Sequence, residues 1–350
     1  SVRYAIFFFD AFAALSYILG SSTVLAAVRI PTHIGMVLGA GALAYFMAAT
    51  SVLVIYQLLA VVRKRVHADV NPGRRRVLNV AGNALLASPF VAMGYGAFIQ
   101  RTDFHVREID IPLPGLPRDL DGLRILQLSD IHLSAFLSER ELALVIDACL
   151  DLRPQLAVTT GALISGRGDP LDACIRQLAR LKADSGVFGC MGNHERYVKV
   201  EDYTARASAR VGIRFLRREA QTLRFGDSIL NLAGLDFESS GLRKNYLRGA
   251  ERLIVPGATN VLLQHSPDVF PEAARQGYNL LLAGHTHGGQ VTVEILDQAI
   301  NPARFFTPYV YGLYRAGDSA AYVTRGIGTI GIPARIGAPP EISLLRLRKA

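Results

Sequence analysis

Cysteine is scarce in this sequence, which contains only Cys149, Cys174 and Cys190 among 350 residues. Their number is odd and no pair has C-x-x-C spacing, so the pattern excludes a disulfide framework and a thiolate metal site. Scattered cysteines of this kind are typical of small, buried apolar residues. We therefore expect three unreactive thiols in the interior of the protein.

Charge is missing from long stretches near the N-terminus. Residues 4–28 contain a single charged residue, Asp10, and residues 34–62 contain none. Both segments exceed the roughly 20 apolar residues that cross a bilayer as a helix, so both are predicted to be transmembrane. Residues 77–99 are also uncharged but include polar residues and a proline, and they are a third candidate span. Since Ser1 stands almost directly before the first hydrophobic segment, we expect sequence upstream of it.

Basic residues exceed acidic ones, giving a formal net charge of +9, but they are unevenly placed. A short stretch between two hydrophobic segments holds six of them: Arg63, Lys64, Arg65, Arg74, Arg75 and Arg76. Such a cluster indicates the cytoplasmic side of a membrane protein rather than a phosphate-binding groove. If this loop stays in the cytoplasm, the third span carries everything after residue 100 to the other side.

The sequence around the second half of this cluster, NPGRRRVLNVAGNALLASPF, also resembles a twin-arginine export signal. It has paired arginines followed by a moderately apolar stretch that contains glycine and alanine. A plain juxtamembrane basic cluster explains the same residues equally well, so both explanations stay open. If the third segment only dips into the interface, the following domain stays cytoplasmic.

The sequence pattern changes at about Phe104. Segments with strand-like runs alternate with segments of helical spacing, which predicts strand-helix-strand units around a central sheet. The strand-like segments include LRILQLSD, QLAVTTG, GVFGCMGN, NVLLQHS and NLLLAGHTH, and the helical ones are ERELALVIDACLDL and PLDACIRQLARLKA. The sequence thus predicts a membrane domain over residues 1–100, with two to three helices, and a mixed α/β domain over residues 101–350.

Five of the eight histidines follow apolar strands and stand beside Asp, Asn or Gly. The five are His132, His194, His265, His285 and His287, whereas His33, His67 and His105 are scattered. Because strand ends that meet at one edge of a sheet form the usual ligand crevice of open α/β folds, these five are expected to share one pocket.

Spacing within the motifs supports a shared site. SDIHLS places Asp130 and His132 two residues apart, so both side chains point the same way, and AGHTHGGQ repeats this arrangement with His285 and His287. MGNHE adds Asn193 after another strand. Neutral imidazoles with a carboxylate and an amide oxygen suit Zn, Mn, Fe or a similar divalent ion rather than Ca.

In this order the motifs resemble the calcineurin-like metallophosphoesterase superfamily. The matching elements are DIH at 130–132, GA at 161–162, GNHE at 192–195, His265 and GHTH at 284–287. The resemblance covers about residues 104–350, including the tail GIGTIGIPARIGAPPEISLL, and is strongest to membrane-linked bacterial phosphoesterases. It implies an α/β/β/α sandwich that follows the N-terminal transmembrane helices in a bacterial plasma membrane protein, and the basic cluster places this catalytic domain outside the cytoplasm.

The resemblance also implies two divalent metal ions. Carried over by position, Asp130, His132 and His287 hold one ion, and Asn193, His265 and His285 hold the other. The implied mechanism is in-line, two-metal hydrolysis of a phosphoric ester. His194 matches the family histidine that donates a proton or hydrogen bond to the leaving oxygen. Glu195 either orients that histidine or is an ordinary helix-start glutamate.

The sequence departs from the family pattern at Ala162, where the aspartate that bridges the two ions is expected. A methyl group cannot ligate a metal, so we expect weakened metal binding and strongly reduced turnover. Two explanations stay open: an inactivating substitution in an otherwise intact site, or natural divergence with Asp169 or Asp184 as a substitute carboxylate. We favour the first, because Asp169 lies seven residues further on in a glycine-rich loop.

The sequence thus favours a membrane-anchored, metal-dependent hydrolase of phosphodiester or pyrophosphate bonds that acts on a phosphorylated substrate. The membrane anchor adds the hypothesis that this substrate is lipid-linked. The alternative is a catalytically inactive membrane protein that binds a phosphorylated ligand through a degenerate metal site. Cleavage of nucleic acid is disfavoured, because the basic segments of the α/β domain lack interleaved stacking aromatics.

Overall fold

The described residues of the N-terminal part of the chain include three apolar helices. They are α1 (Val2–Ser21), α2 (Thr32–Arg65) and α3 (Pro72–Phe98). The structure is a computed structural model that describes residues 2–21, 32–65, 72–238, 247–295 and 298–350. Together with the short segment Gly331–Ile336 these helices belong to one compact unit, and Thr102–Ile330 with Gly337–Ala350 forms the other.

Two of the helical segments are long and apolar enough to cross a membrane, namely His33–Val62 and Gly73–Thr102. They coincide with the second and third predicted spans. The first predicted span begins within α1, whose apolar stretch Phe7–Gly20 is shorter, and its last residues lie outside the described part of the chain.

A first six-stranded sheet is mainly parallel. Its order is β1-β14-β2-β3-β4-β5, and only the β14–β2 pairing is antiparallel. The strands are β1 (His105–Leu113), β2 (Arg124–Leu128), β3 (Leu156–Thr159), β4 (Val187–Gly189), β5 (Ile213–Phe215) and β14 (Glu341–Lys349).

The second six-stranded sheet has the order β12-β13-β9-β8-β7-β6, with antiparallel pairs at its two ends and parallel strands between them. A separate two-stranded ribbon pairs β10 (Val293–Ile295) with β11 (Gln298–Ile300). The strands of the sheet are β6 (Glu219–Phe225), β7 (Ser228–Gly234), β8 (Thr259–Leu263), β9 (Leu280–Ala283), β12 (Gly312–Ala316) and β13 (Ser319–Val323).

Apolar side chains from the facing sides of the two sheets form the central core, in which Ile125, Val158, Val261 and Leu282 are all buried. Helices cover the outer faces of the two sheets. The outer face of the first sheet is covered by α4 (Glu139–Leu150), α5 (Leu171–Leu178), α6 (Asn193–Val198) and α7 (Glu201–Ala209). The outer face of the second sheet is covered by α8 (Phe270–Gln276). The result is the predicted α/β/β/α sandwich.

The topology brings the predicted motifs to one end of the sandwich. Strands β2, β3 and β4 run parallel in the first sheet, and β8 and β9 run parallel in the second. The buried Gln127 joins the two edges, since its Nε2 donates to Thr160 Oγ1 at 3.1 Å and to the Ala283 carbonyl at 2.9 Å. The loops that leave these five strands therefore meet.

Candidate metal centre

The backbone at the motifs adopts an unusual conformation. Asp130, His132, His285 and His287 all have left-handed backbones, with φ of 50°, 50°, 75° and 53°, and Ala162 has φ of 57°. A left-handed conformation costs a non-glycine residue roughly 1–2 kcal/mol. Such residues cluster at functional sites, where the surrounding structure enforces the strain.

Asp130, His132 and His287 form one compact group. All three side chains are buried, and each offers one ligand atom within 4.8 Å of the other two. Hydrogen bonds fix both oxygens of the Asp130 carboxylate: Ser129 Oγ donates to Oδ2 at 2.7 Å, and the backbone N–H of His285 lies 2.9 Å from Oδ2 and 3.1 Å from Oδ1. One carboxylate and two imidazoles are a suitable ligand set for a divalent transition ion.

Glycine is required beside this group by close packing. A Cβ at Gly284 would lie 2.1 Å from Ser129 Oγ and 2.3 Å from Asp130 Oδ2. A Cβ at Gly326 would lie 2.6 Å from Asp130 Cβ, and Gly326 also has a positive φ. Since real Cβ atoms do not approach so closely, any larger residue at Gly284 would displace the carboxylate.

Asn193, His265 and His285 form the second group. His265 Nε2 lies 2.9 Å from Asn193 Oδ1 and 3.2 Å from His285 Nδ1. The other ring nitrogen of His265, Nδ1, lies 2.6 Å from the Thr160 carbonyl and must donate its proton there. Nε2 of the neutral ring is then a lone pair that faces the amide oxygen of Asn193. Two acceptors that converge in this way fit a cation between them.

Both histidines of this second group are neutral at ordinary pH. Burial lowers the pKa of His265 to about 3, and burial together with the neighbouring His265 lowers the pKa of His285 to about 4. Metal ligation requires the neutral imidazole. These rings are therefore ready to bind a metal without first losing a proton.

The two groups lie side by side, and Asp130 stands between them. Its Oδ1 is 3.5 Å from His287 Nε2 in the first group and 3.8 Å from His265 Nε2 in the second. The structure thus brings all six of the predicted ligands into one site. Among them, Asp130 is the carboxylate that reaches both groups.

Ala162 is fully buried and contributes no ligand atom. Its carbonyl accepts the backbone N–H of His132 at 3.0 Å, so it lies directly beside the first group. The left-handed backbone at this position favours Gly, Asn or Asp over alanine. The local conformation at residue 162 is therefore suited to an aspartate.

Asp169 and Asp184 do not take the place of that aspartate. The carboxylate of Asp169 accepts the backbone N–H groups of Ser165 and Gly166 in its own loop, at 2.9 and 2.7 Å. Asp184 is exposed and precedes β4, whereas the metal site lies beyond the carboxyl ends of the strands. Neither residue therefore supplies the carboxylate that is missing at position 162.

His194 lies at the rim of the site. Its ring centroid is 4.5 Å from that of His132, with the planes nearly perpendicular at 84°. Its Nδ1 lies 2.7 Å from the Ser165 carbonyl, which fixes the proton on Nδ1 in the neutral ring and leaves Nε2 to face a ligand.

Glu195 does not orient His194. It is completely buried, and its carboxylate accepts the backbone N–H groups of Gly192, Ala162 and Leu163 at 2.8, 3.0 and 2.6 Å. Burial raises the pKa of Glu195, while the three N–H donors oppose that rise. Glu195 thus caps the start of α6 and also clamps the loop that carries Ala162. The helix-start explanation is the one that the structure supports.

Several residues that hold the candidate ligands in place were not predicted from the sequence. Ser129, Thr160 and Gln127 hold ligands or strand edges through the hydrogen bonds described above. Gly328, in the C-terminal tail, places its carbonyl 3.3 Å from His287 Nδ1, which turns Nε2 of that ring toward Asp130. The glycines of the tail segment TRGIGT were the signal that backbone approaches closely there.

A cavity of about 330 Å³ opens beside the second group. Its lining residues are Pro267, Asp268, His285, Thr286, Ala303, Phe306 and Thr307. His285 connects this cavity to the metal site.

Comparison with known proteins agrees with this geometry. Residues 123–289 match the family model described as calcineurin-like phosphoesterase. The chain is 30% identical over 284 residues to metallophosphoesterase YkuE of Bacillus subtilis (strain 168), covering 79% of this chain and 97% of that relative.

Two further similarities are less extensive. A transmembrane protein with a metallophosphoesterase domain from Danio rerio is 31% identical over 279 residues, which cover 76% of this chain but only 62% of that relative. The solved structure of TT1561 from Thermus thermophilus is 13% identical and covers 59% of this chain and 90% of that protein, with a TM-score of 0.39. From its match to YkuE, its family model and its motifs, we conclude that this chain belongs to the calcineurin-like metallophosphoesterase family.

Proposed function

We propose that this chain is a two-metal hydrolase of phosphodiester or pyrophosphate bonds, acting next to a membrane. The proposal depends on one observation: six candidate ligand side chains from four loops converge at one end of the sandwich. Asp130 Oδ1 lies within 3.8 Å of a histidine nitrogen in each of the two groups. Sites with converging ligands and histidines of strongly lowered pKa are typical of catalytic centres.

Asp130, His132 and His287 would hold one ion, and Asn193, His265 and His285 the other. The donor set fits Mn, Zn or Fe, because imidazole nitrogen predominates over carboxylate oxygen. When bound, such ions neutralise charge on phosphoryl oxygens and activate water at neutral pH. The protein holds the ligands rigid through Ser129, Thr160 and the backbone of the tail.

His194 is the proposed proton donor to the leaving oxygen. The Ser165 carbonyl keeps the Nδ1 proton in place at 2.7 Å, so it is Nε2 that gains and releases the catalytic proton. General acid catalysis of this kind contributes typically 10²–10⁴-fold in rate.

We expect Ala162→Asp to raise hydrolysis of bis(p-nitrophenyl) phosphate in the presence of manganese or zinc by about 10 to 100-fold or more. The left-handed backbone and the buried position beside His132 suit an aspartate, and the added carboxylate supplies a ligand for both ions. Turnover of the parent chain and of the Ala162→Asp variant is measured at the same metal occupancy.

Ala162→Asn is the matched control, because asparagine has nearly the same shape and also tolerates a left-handed backbone but carries no charge. Its rate should stay well below that of Ala162→Asp. Equal and low rates from all three proteins would contradict the two-metal assignment.

A second function is favoured by Ala162 itself. Without the carboxylate at this position, the site would retain six ligands but turn over slowly, which suits a membrane protein that binds a phosphorylated ligand. Phosphate binding by the metal-loaded chain, together with no turnover even after Ala162→Asp, would favour this alternative.

The two apolar helices and the transmembrane relatives support membrane association. We propose further that the metallophosphoesterase domain is extracytoplasmic and that its substrate is lipid-linked. The basic cluster between the two spans supports the first proposal. The anchor supports the second, since it keeps the domain near lipid headgroups.

A further inference from the structure

Two adjacent phenylalanines protrude from the metallophosphoesterase domain. Phe305 is 86% exposed and Phe306 is 79% exposed, and among the described residues from 102 onward no other large apolar side chain exceeds the 65% of Tyr197. A phenylalanine that stays in water gives up the stabilisation that burial of its ring would provide. The exposed Arg304 precedes them, so a basic and two aromatic side chains lie together.

The loop that carries these rings, residues 301–307, is here called the Phe loop. Both of its ends are fixed by buried polar side chains. Asn301 Nδ2 donates to the Gly288 carbonyl and to Thr292 Oγ1, each at 2.9 Å, and Thr307 Oγ1 donates to Asp268 Oδ1. The two phenyl rings are therefore exposed on a loop whose ends are held by hydrogen bonds.

The fixed end at Asn301 also ties the Phe loop to the metal site. Gly288, whose carbonyl Asn301 holds, directly follows His287 in the first ligand group. A Cβ at Gly289 would lie 2.0 Å from Asn301 Oδ1, so the segment with Gly288 and Gly289 packs directly against the start of the Phe loop. The position of the two rings is thus set relative to the ligands.

Phe306 lines two cavities. One is the cavity of about 330 Å³ that contains His285, and the other, of about 540 Å³, is also lined by Pro271, Pro308 and Tyr309. A ligand in the first cavity therefore lies beside both His285 and an exposed aromatic ring. Around this metal-site histidine, Pro267, Ala303 and Phe306 form an apolar part of the wall and Asp268, Thr286 and Thr307 a polar part. Such a mixed wall fits a polar headgroup that is attached to an apolar group.

The short connection between the two units is the observation that favours a bilayer as the partner. Residues 99–104 alone separate the last residue of α3 from the first residue of β1. Exposed aromatic side chains beside a basic one are characteristic of protein segments that lie in the membrane interface, where the rings enter the acyl boundary and the cation meets anionic headgroups.

We propose that the Phe loop inserts Phe305 and Phe306 into the headgroup region of the membrane that anchors the chain, and that the His285 cavity receives the phosphate headgroup of a membrane lipid. The insertion stands on exposure and loop geometry. The lipid substrate rests in addition on the proposed hydrolase function, so the two parts are tested separately.

The absence of tryptophan from the sequence allows insertion to be measured directly. Phe305→Trp creates a single-tryptophan chain, which is reconstituted at full length in vesicles of phosphatidylcholine and phosphatidylglycerol, with or without bromine on the acyl chains. The matched control is Leu144→Trp, which replaces another exposed apolar residue, 59% exposed, on α4.

We expect brominated lipid to quench Phe305→Trp several-fold more strongly than Leu144→Trp, with blue-shifted emission. Equal quenching of the two probes would overturn the insertion. Emission that depends on the ratio of protein to lipid, without quenching by bromine, would overturn it in favour of contact with a second copy of the chain.

The lipid substrate is tested by adding Phe305→Ser to the Ala162→Asp chain. We expect about tenfold slower hydrolysis of vesicle phospholipid, because one exposed ring contributes about 1.4 kcal/mol or more to insertion. Hydrolysis of water-soluble bis(p-nitrophenyl) phosphate should stay unchanged, since Phe305 does not line the cavity.

Hydrolysis of the soluble ester alone by the Ala162→Asp chain would overturn the lipid substrate and leave the hydrolase function in place. Absence of turnover with either substrate would instead overturn the proposed function, whereas quenching of Phe305→Trp would still report insertion. The two failures are therefore distinguishable.

Discussion

Left-handed backbone is the feature that unites the site at the scale of single residues. Four of the ligands and Ala162 have φ between 50° and 75°, although none of them is glycine. This conformation turns side chains at alternating positions into the site, and the hydrogen bonds from Ser129, Glu195 and the strand edges stabilise it. Ala162 has the same strained backbone as the ligands, but its methyl side chain offers no ligand atom, and the carboxylate of Glu195 holds its backbone N–H at 3.0 Å.

Glu195→Gln should destabilise the protein without changing the proton-transfer step. The amide of glutamine would turn an N–H group toward buried backbone N–H groups that now donate to the carboxylate, which leaves donors without acceptors. We expect the free energy of unfolding to fall by about 1–3 kcal/mol. Thermal labelling of the three cysteines by a thiol-reactive fluorophore measures this change, because all three thiols are buried in the metallophosphoesterase domain.

His194→Ala is the comparison for that variant. It should keep the stability of the parent chain and, in the Ala162→Asp background, lose turnover. A Glu195→Gln chain that unfolds like the parent but shows a shifted pH profile of turnover would mean that Glu195 acts through His194 after all.

At the scale of elements, the carboxyl ends of parallel strands determine where the ligands lie. Strands β2 and β4 of the first sheet and β8 and β9 of the second each deliver ligands within a few residues of their last paired residue. The helices that follow then bury the outer faces of the sheets. Helix α4, which follows the Asp130 loop, begins with a capping box between Ser138 and Glu141.

Ser138→Ala should lower the stability of the domain by about 1 kcal/mol, because the backbone N–H of Glu141 loses the side-chain acceptor that now lies 3.2 Å away. Ser138→Asp is the matched control, since aspartate caps a helix equally well. The same cysteine-labelling measurement compares both variants with the parent chain. Equal midpoints for Ser138→Ala and Ser138→Asp would show that the cap does not stabilise α4.

At the scale of the whole molecule, the protein combines an apolar helical unit with a metallophosphoesterase domain. The basic cluster lies where two of its apolar helices adjoin in the sequence, since Arg63, Lys64 and Arg65 end α2 and Arg74, Arg75 and Arg76 lie in the first turns of α3. The exposed apolar side chains of these helices suit a lipid environment, since in water they would form a very large apolar surface. The sidedness of the domain follows from the cytoplasmic placement that we propose for the basic loop.

Alkaline phosphatase fused after Ala350 should be active in a bacterial host, because that enzyme folds only outside the cytoplasm. The same fusion after Arg65 should be inactive. Green fluorescent protein that fluoresces after Ala350 in an inner-membrane fraction would contradict the proposed topology.

Changing Arg74, Arg75 and Arg76 to lysine keeps the charge but removes the paired arginines. Export that survives this change favours the basic cluster as a topology determinant. Export that is lost favours the twin-arginine signal.

Several features could be predicted because they depend on local sequence. Uncharged runs predict apolar helices, alternation of strand-like and helical segments predicts an α/β domain, and histidines after strands predict a shared crevice. The role of Glu195 could not be predicted in the same way, because its partners Ala162 and Leu163 are more than thirty residues away in the sequence. The Phe loop was also missed, since exposure of Phe305 depends on how the chain around it folds.

The sequence by itself determined which residues are chemically able to bind metal, where the apolar helices lie and that residue 162 has no ligand atom. These are properties of composition and of spacing along the chain. Only the tertiary structure decided that Asp130 lies between the two ligand groups, that Glu195 clamps the loop of Ala162 and that two phenyl rings protrude beside the His285 cavity. The physical reason is that such contacts join strands and loops distant in sequence, and their distances are set by the packing of two sheets against each other.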